Sequence, residues 1–200
     1  MNQAPGCSIG FLEKGEKPTA AELNLVSSGT AALRFCIGNE ETQSRVFIKS
    51  INWNRVILAR ENGMTVGFLS FFQDGSGPFN VCRSAFTSEF GLISGVLRFC
   101  AYKALEKRCT LPECYGYKLA VTGGMRNKGF GSSMMAYWIS HASAAGLASI
   151  EIEVFGKNTK AIELYTSFGF FEARKINLKI IGRSLPDTTI IRMKKVLRAR

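Results

Sequence analysis

An α/β domain is what this sequence predicts, and three observations carry the prediction. Two strand-like runs, Val56–Glu61 and Thr65–Phe72, flank Asn62-Gly63, a dipeptide that tolerates the left-handed backbone of a tight hairpin turn. A further apolar run, Tyr115–Val121, gives way to a glycine-rich basic turn and then to a stretch of helical periodicity. A third run, Ser149–Phe155, alternates strictly and leads into a short helix bracketed by Asn158 and Gly169, residues suited to an N-cap and a C-terminal stop. Strand and helix signals thus alternate along the chain.

Length and composition set the bounds. The 200 residues, 46% of them hydrophobic, fit one domain over residues 1–200 with a sizeable core. The opening MNQAPGCSIG has no basic stretch followed by an apolar one, so no secretion signal is expected. No apolar run approaches the roughly 20 residues that a bilayer crossing needs. A cytoplasmic protein that does not engage a membrane is expected. The six cysteines are scattered without a compact framework, which fits reduced thiols. Cys109 and Cys114 lie closest, but neither a second pair nor a neighbouring histidine completes a metal site, and His141 is solitary. No metal is expected. The formal charge of +11 favours anionic partners. Its cations are dispersed apart from Arg192–Arg200, and no nucleic-acid-binding motif appears, so a solvated basic surface is preferred to a nucleic-acid site.

Taken in order, Phe11–Glu16 reads as a short first strand. Pro18-Thr-Ala-Ala-Glu-Leu23 opens a helical region that reaches Ile37, with a break near Ser27-Ser-Gly29. Glu40–Ile51 reads as a second helix, and the Asn62-Gly63 hairpin follows. Beyond the loop Asp74–Pro78, the apolar residues Phe86, Phe90, Ile93, Leu97, Cys100 or Ala101, and Ala104 recur at helical spacing up to about Arg108. Gly91 and Gly95 weaken the first turns of that helix. In the strand Tyr115–Val121, Tyr115, Tyr117, Leu119 and Val121 are expected on one face, against Gly116, Lys118 and Ala120 on the other. Phe130, Met134, Trp138, Ala142 and Ala145 form the buried stripe of the next helix, with His141 packed at its edge.

In Ser149–Phe155 the residues Glu151, Glu153 and Phe155 share one face. Two carboxylates there are costly unless that face meets water, a partner or a cleft. Tyr165 shares the inward face of its helix with Ala161, Leu164 and Phe168, so its hydroxyl needs a partner. Two apolar runs, Ile176–Ile181 and Thr188–Val196, read as final strands.

The stretch VTGGMRNKGFGSSMMAY, Val121–Tyr137, organises the rest. A strand feeding a glycine-rich, basic turn that opens a helix is an anion cradle, since backbone N–H groups converge there and the helix N-terminus adds positive charge. Two common phosphate motifs fail on register. Gly129 is followed by Phe130-Gly131 and not by Lys then Ser or Thr, and the third glycine of a dinucleotide fingerprint would fall at Met134.

What remains, Arg126-x-x-Gly129-x-Gly131, resembles the coenzyme A pyrophosphate loop of the GNAT superfamily of N-acetyltransferases. Downstream, Asn158, Ala161, Leu164, Tyr165, Gly169 and Phe170 match a second motif of that family in the right order. The resemblance covers residues 115–171 closely and the remainder only in architecture. It implies a mixed, mostly antiparallel, twisted sheet flanked by helices, opening between its fourth and fifth strands around acyl-CoA. The segment at about residues 78–112, between the third and fourth strands, departs from the family pattern as an inserted helix. It is either a cover for the core or a wall over the acceptor site.

The resemblance also implies roles. Leu119, Ala120 and Val121 would pair with the pantetheine amides. Backbone groups of Arg126, Asn127, Lys128, Gly129, Phe130, Gly131 and Ser132 would hold the pyrophosphate. Asn158 would bond coenzyme A, cap its helix, or do both. Tyr165 matches the tyrosine that protonates the departing thiolate, and Glu153 matches a glutamate that some members use as a base through water. Glu113 and Tyr117 are rivals for that base. Tyr115 stands where histone-acetylating relatives carry glutamate, which argues against a close match to those enzymes. The implied activity is transfer of an acetyl group from acetyl-CoA to a primary amine, on a small molecule or a peptide, with no metal. A homodimer is compatible with it. The alternatives are a non-catalytic acyl-CoA-binding regulator and, more weakly, a nucleic-acid-binding protein.

Overall fold

The computed structural model describes residues 7–177 and 189–197. Among the described residues seven strands form one sheet: β1 (Cys7–Gly10), β2 (Val56–Glu61), β3 (Met64–Gln73), β4 (Cys114–Val121), β5 (Ser149–Phe155), β6 (Phe171–Asn177) and β7 (Thr189–Val196). Their order across the sheet is β1-β2-β3-β4-β5-β7-β6. Every neighbouring pair is antiparallel except β4 and β5. Six α-helices accompany them in the same described residues: α1 (Ala20–Ser27), α2 (Glu40–Phe47), α3 (Arg83–Phe90), α4 (Leu92–Thr110), α5 (Phe130–Ala144) and α6 (Thr159–Ser167). The fold is the expected mixed, mostly antiparallel open sheet with helices.

Local chemistry accounts for several of these elements. Asn62 and Gly63 both take positive φ and close the β2–β3 hairpin. Thr19 and Glu22 form a reciprocal capping box at the start of α1, with bonds of 2.9 and 3.2 Å. Glu22 is buried, and it also accepts from Arg60 and Thr65. One face of the sheet packs on α5, where Met134, Trp138 and Ala142 meet Ile57, Leu69, Phe71, Ile150 and Ile152. The other face turns Val56, Leu58 and Phe68 toward Val26 of α1. Farther along that face, Phe47, Phe79, Phe86 and Tyr102 build a separate aromatic cluster.

Several expectations need correction. The first strand is Cys7–Gly10, upstream of Phe11–Glu16, because its partners are Leu58–Glu61 of the hairpin. The second helix ends at Phe47, four residues before Ile51. The inserted helix is two helices, broken where Gly91 takes φ 77°. Only Phe86 of its expected stripe is fully buried; Ile93 and Leu97 are 78% and 67% exposed. The α5 stripe stops at Ala142, since Ala145 lies past the helix and is exposed. The penultimate strand begins at Phe171, ahead of Ile176, and residues 178–181 of the expected run lie outside the described residues, as does the connection 182–187.

The fourth strand departs from simple alternation, and this shapes the site. The β3–β4 register shifts between Ser70 and Phe71: Ser70 pairs with Lys118 and Phe71 with Gly116. Tyr117 is the extra residue of a β-bulge. Tyr117, Lys118 and Ala120 therefore pack with the α1–α4 side, while Gly116, Leu119 and Val121 lie with α5. A bulge bends its strand and ends regular pairing. Parallel pairing of β4 with β5 covers Tyr115↔Glu151 and Gly116↔Ile152 and stops there, one residue before the bulge.

Candidate functional site

Beyond Gly116 the strands β4 and β5 diverge, and a cavity of about 440 Å³ opens beside them. Its walls include Tyr115, Tyr117 and Leu119 of β4, Glu153 of β5, Tyr165 of α6 and Arg192 of β7. Residues that are far apart in sequence thus converge where the sheet splits.

The carboxylates of β5 find both a cleft and partners. Strand register sets Glu153 opposite Arg192 and Glu151 opposite Lys194. Arg192 donates to Oε1 of Glu153 through Nε at 3.0 Å and Nη2 at 2.7 Å, and its Nη1 lies 3.6 Å from Glu151. Its guanidinium also sits over the Tyr115 ring, 5.7 Å from the centroid. Burial, reinforced by the charge of Glu153, pushes the Tyr115 hydroxyl well above its ordinary pKa. Arg192 is a site residue that the sequence reading missed. The available signal was its alternation with Lys194 on the strand that had to face Glu151 and Glu153.

Tyr165 lines the same cavity from α6. Asn158 caps α6, its side-chain oxygen accepting from Ala161 N at 3.3 Å. The ring packs near Phe170 and is 6% exposed. Burial pushes its pKa up to about 12, so the phenol is a neutral hydrogen-bond donor at any physiological pH. Asn158 lines the same cavity.

The free edge of β4 is defined by its other partner. Thr122 N donates to Val66 O of β3 at 2.9 Å. Backbone groups alternate in direction along a strand, so Val121 and Leu119 turn theirs away from β3 and into the splay, while Ala120 faces β3. After Val121, a short turn Gly123–Met125 leads through Asn127 (φ 63°) and Gly129 (φ 85°) into α5. The amides from Asn127 to Ser132 donate to no backbone acceptor, and the start of α5 has no side-chain cap. Six successive donors at a helix N-terminus suit a phosphate group. Arg126 and Lys128 are exposed beside them; Arg126 Nε contacts Val121 O at 3.3 Å and Lys128 Nζ contacts Met125 Sδ at 3.3 Å.

The insertion supplies a wall. Tyr102, Leu105, Glu106 and Cys109 of α4 line the cavity opposite the strands. Tyr102 donates to Glu106 Oε1 at 3.0 Å, and Lys103 forms an ion pair with the same carboxylate. Lys118 holds the wall formed by the loop after α1. Its ammonium donates to Ser28 O, Ser28 Oγ and Gly29 O at 2.8, 3.0 and 2.7 Å. Burial lowers its pKa, and the charge of Glu40 partly offsets this.

Two other expectations are resolved by position. Glu113 lies outside the cavity, where its Oε2 accepts from Ala148 N at 2.9 Å and Ser149 N at 3.4 Å. His141 packs against Phe11 and Phe71, and burial lowers its pKa. Among the described residues no cluster could hold a metal ion, and no helix is long and apolar enough to cross a membrane.

The model of the acetyltransferase (GNAT) family covers residues 30–170. The chain belongs to that family. Among solved structures, it is similar to the ribosomal-protein-S18-alanine N-acetyltransferase from Escherichia coli, at 17% identity and TM-score 0.57 over 97% of this chain and 96% of that one. It is also similar to YncA, a putative acetyltransferase from Salmonella typhimurium solved with its cofactor acetyl-CoA, at 17% identity and TM-score 0.60 over 98% and 96% of the two chains. Ard1 from Thermoplasma volcanium aligns at 15% identity and TM-score 0.56 over 96% and 99%. At these identities the likeness is one of fold. No curated protein sequence matches this chain.

Proposed function

We propose that this GNAT chain is an acetyl-CoA-dependent N-acetyltransferase acting on a primary amine by direct attack. The convergence of Tyr165 and Glu153 on one cavity beside the β4 edge carries the reading. A regulator that only bound acyl-CoA would need the amide cradle but neither of these groups.

In this reaction the amine nitrogen attacks the thioester carbonyl while a β4 amide, from Leu119 or Val121, stabilises the developing oxyanion. The amine gives up its proton to Glu153 through a water molecule. The tetrahedral intermediate then collapses, the C–S bond breaks, and Tyr165 donates its proton to the departing thiolate. Arg126 and Lys128 add charge to the amides of residues 127–132, which hold the pyrophosphate, and Asn158 contacts the pantetheine. The aromatic and acidic wall from α4 faces the acceptor, which makes the insertion the part of the chain that selects it.

Acetyl-CoA is expected to raise the thermal midpoint, because a ligand that binds only the folded state stabilises it by mass action. NAD and ATP should raise it much less; equal shifts with those nucleotides would overturn the cofactor assignment. A panel of amines assayed by free-thiol release then tests the chemistry. Tight acetyl-CoA binding with no turnover on any amine would favour the regulator.

Glu153→Gln should slow turnover by about 10²-fold or more, the usual contribution of a positioned base. The loss should shrink as pH rises, since more of the amine is then already neutral. Arg192 also lies 3.6 Å from Glu151 in the parent, so the fold should survive the change. A pH-independent loss would remove Glu153 from the role of base.

A further inference from the structure

The cations and phenols that line the cavity direct their hydrogen bonds into the protein. Lys118 makes three bonds, to Ser28 O, Ser28 Oγ and Gly29 O, as many as an ammonium can donate. Arg192 is turned toward Glu153 and Glu151. Tyr102 donates to Glu106 and Tyr115 to Glu153, while Tyr117 is bonded to Thr30. A lining whose donors are engaged in this way offers a ligand acceptors and ring faces. It suits a ligand that brings donors and positive charge.

Glu106 is the carboxylate that α4 contributes to this lining, and its side chain is only 13% exposed. Burial pushes the Tyr102 and Tyr117 hydroxyls above their ordinary pKa, and the charge of Glu106 adds to this at both. Glu106 thus lies within electrostatic reach of two neutral phenols. It takes one bond from Tyr102, at 3.0 Å, and one ion pair from Lys103. A carboxylate can accept about four bonds. The Lys103 side chain is 45% exposed, and its ammonium also sits 5.7 Å from the centre of the Tyr102 ring. An alkylammonium therefore already occupies the solvent side of this corner of carboxylate and phenol.

We propose that the acceptor is a small aliphatic diamine, whose second, non-reacting ammonium is held by Glu106 beside Tyr102 and Tyr117. This rests on the transfer reaction proposed above. The covalent step is unchanged: the N–C bond forms, the C–S bond breaks, the amine proton leaves through Glu153, and Tyr165 protonates the thiolate. The products are the monoacetylated diamine and coenzyme A. The second amine stays protonated near neutral pH, as a lysine does. It gains charge-assisted bonds from Glu106 and attraction from the rings. Glu106 is then the residue that selects among amines.

Other acceptors fit this lining less well. A carboxylate at the far end of the acceptor would meet Glu106 and Glu40, with Lys118 and Arg192 already engaged. An uncharged body would strip water from Glu106 and return no bond to it. The cavity of about 440 Å³ also has to admit the acetylated end of the cofactor, which leaves room for a small molecule.

Steady-state kinetics with acetyl-CoA and matched amines test the proposal. The probes are tetramethylenediamine, butylamine, γ-aminobutyrate, phenethylamine and a peptide beginning with alanine. The diamine should show a kcat/KM about 10- to 100-fold above that of butylamine, the effect expected of a charge-assisted bond. The γ-aminobutyrate value should fall below both. Glu106→Gln should bring the ratio of diamine to butylamine close to one, and a ratio cancels any general change in rate. Glutamine can still accept from Tyr102, and Glu106→Asp, which retains the charge, should keep part of the preference. Calorimetry of tetramethylenediamine with the parent protein loaded with coenzyme A reads the site without turnover. Glu106→Gln should weaken that binding by about 10-fold or more. Butylamine turned over as well as the diamine would overturn the diamine site and leave the transfer reaction standing. A preference for phenethylamine or the peptide would do the same. So would a diamine preference that survives Glu106→Gln. Glu106-dependent binding of the diamine with no turnover of any amine would support the site and overturn the transfer reaction instead. Absence of diamine binding in the millimolar range overturns the proposal whatever the turnover.

Discussion

Tyr165→Phe should cut kcat by about 10²- to 10⁴-fold while leaving acetyl-CoA affinity nearly unchanged. The substitution keeps the ring that packs near Phe170 in the core, so the fold and the shape of the cavity should persist. Only the hydroxyl is lost. A group that acts mainly in the transition state lowers kcat and kcat/KM together, whereas one that merely holds the cofactor raises KM. Burial fixes the expected pH behaviour as well. With its pKa pushed up to about 12, the phenol stays protonated across the working range, and no alkaline fall in rate below pH 10 or so should trace to it. Steady-state kinetics on a verified amine, with calorimetry for acetyl-CoA, separates the two effects. Turnover equal to the parent would make the hydroxyl structural and assign the proton to water or another group.

The residues that could be read from the sequence are those fixed by local chemistry. Asn62-Gly63 declares its hairpin because the turn itself demands positive φ. Asn158 declares the start of α6 because a cap needs only the next three residues. The loop from Val121 to Gly131 is similarly local, a strand end, a turn and a helix start in sequence. The face holding Glu151 and Glu153 could be recognised as costly, yet its solution could not. That solution is Arg192, supplied through the register of β5 with β7.

Features that depend on distant partners were hidden. The bulge at Tyr117 exists because β3 and β4 fall out of register at Ser70 and Phe71. No periodicity within β4 announces it, and strict alternation put Tyr117 and Lys118 on opposite faces. The orientation of α4 was hidden for the same reason. Its sequence offers two apolar faces, one with Ile93 and Leu97 and another with Phe99, Tyr102 and Leu105. Helical spacing picks out the first, but the aromatic cluster of Phe47, Phe79 and Phe86 captures the second. Packing against a pre-existing aromatic surface outweighs the periodicity of the helix alone. Tyr102 and Glu106 line the cavity as a result.

Gly129→Val should weaken coenzyme A binding by about 100-fold or more, through the backbone and not through a clash within the protein. A side-chain carbon added at Gly129 meets nothing within 4 Å, so there is room for it. The obstacle is φ 85°, a left-handed conformation that a β-branched residue resists. Relief of that strain would rotate the peptide groups on either side and scatter the amides of residues 127–132. Losing two charge-assisted hydrogen bonds to a phosphate, at about 1.5 kcal/mol or more each, corresponds to at least a hundredfold in affinity. Gly124→Ala is the matched control. An added carbon there also meets nothing within 4 Å, and the glycine lacks a positive φ, so affinity should change little. Calorimetry with coenzyme A on both variants, each checked for a cooperative thermal transition, decides the matter. A folded Gly129→Val protein that binds as tightly as the parent would remove the loop from the phosphate site. Equal losses in both variants would point to general loosening of the turn and not to the left-handed residue.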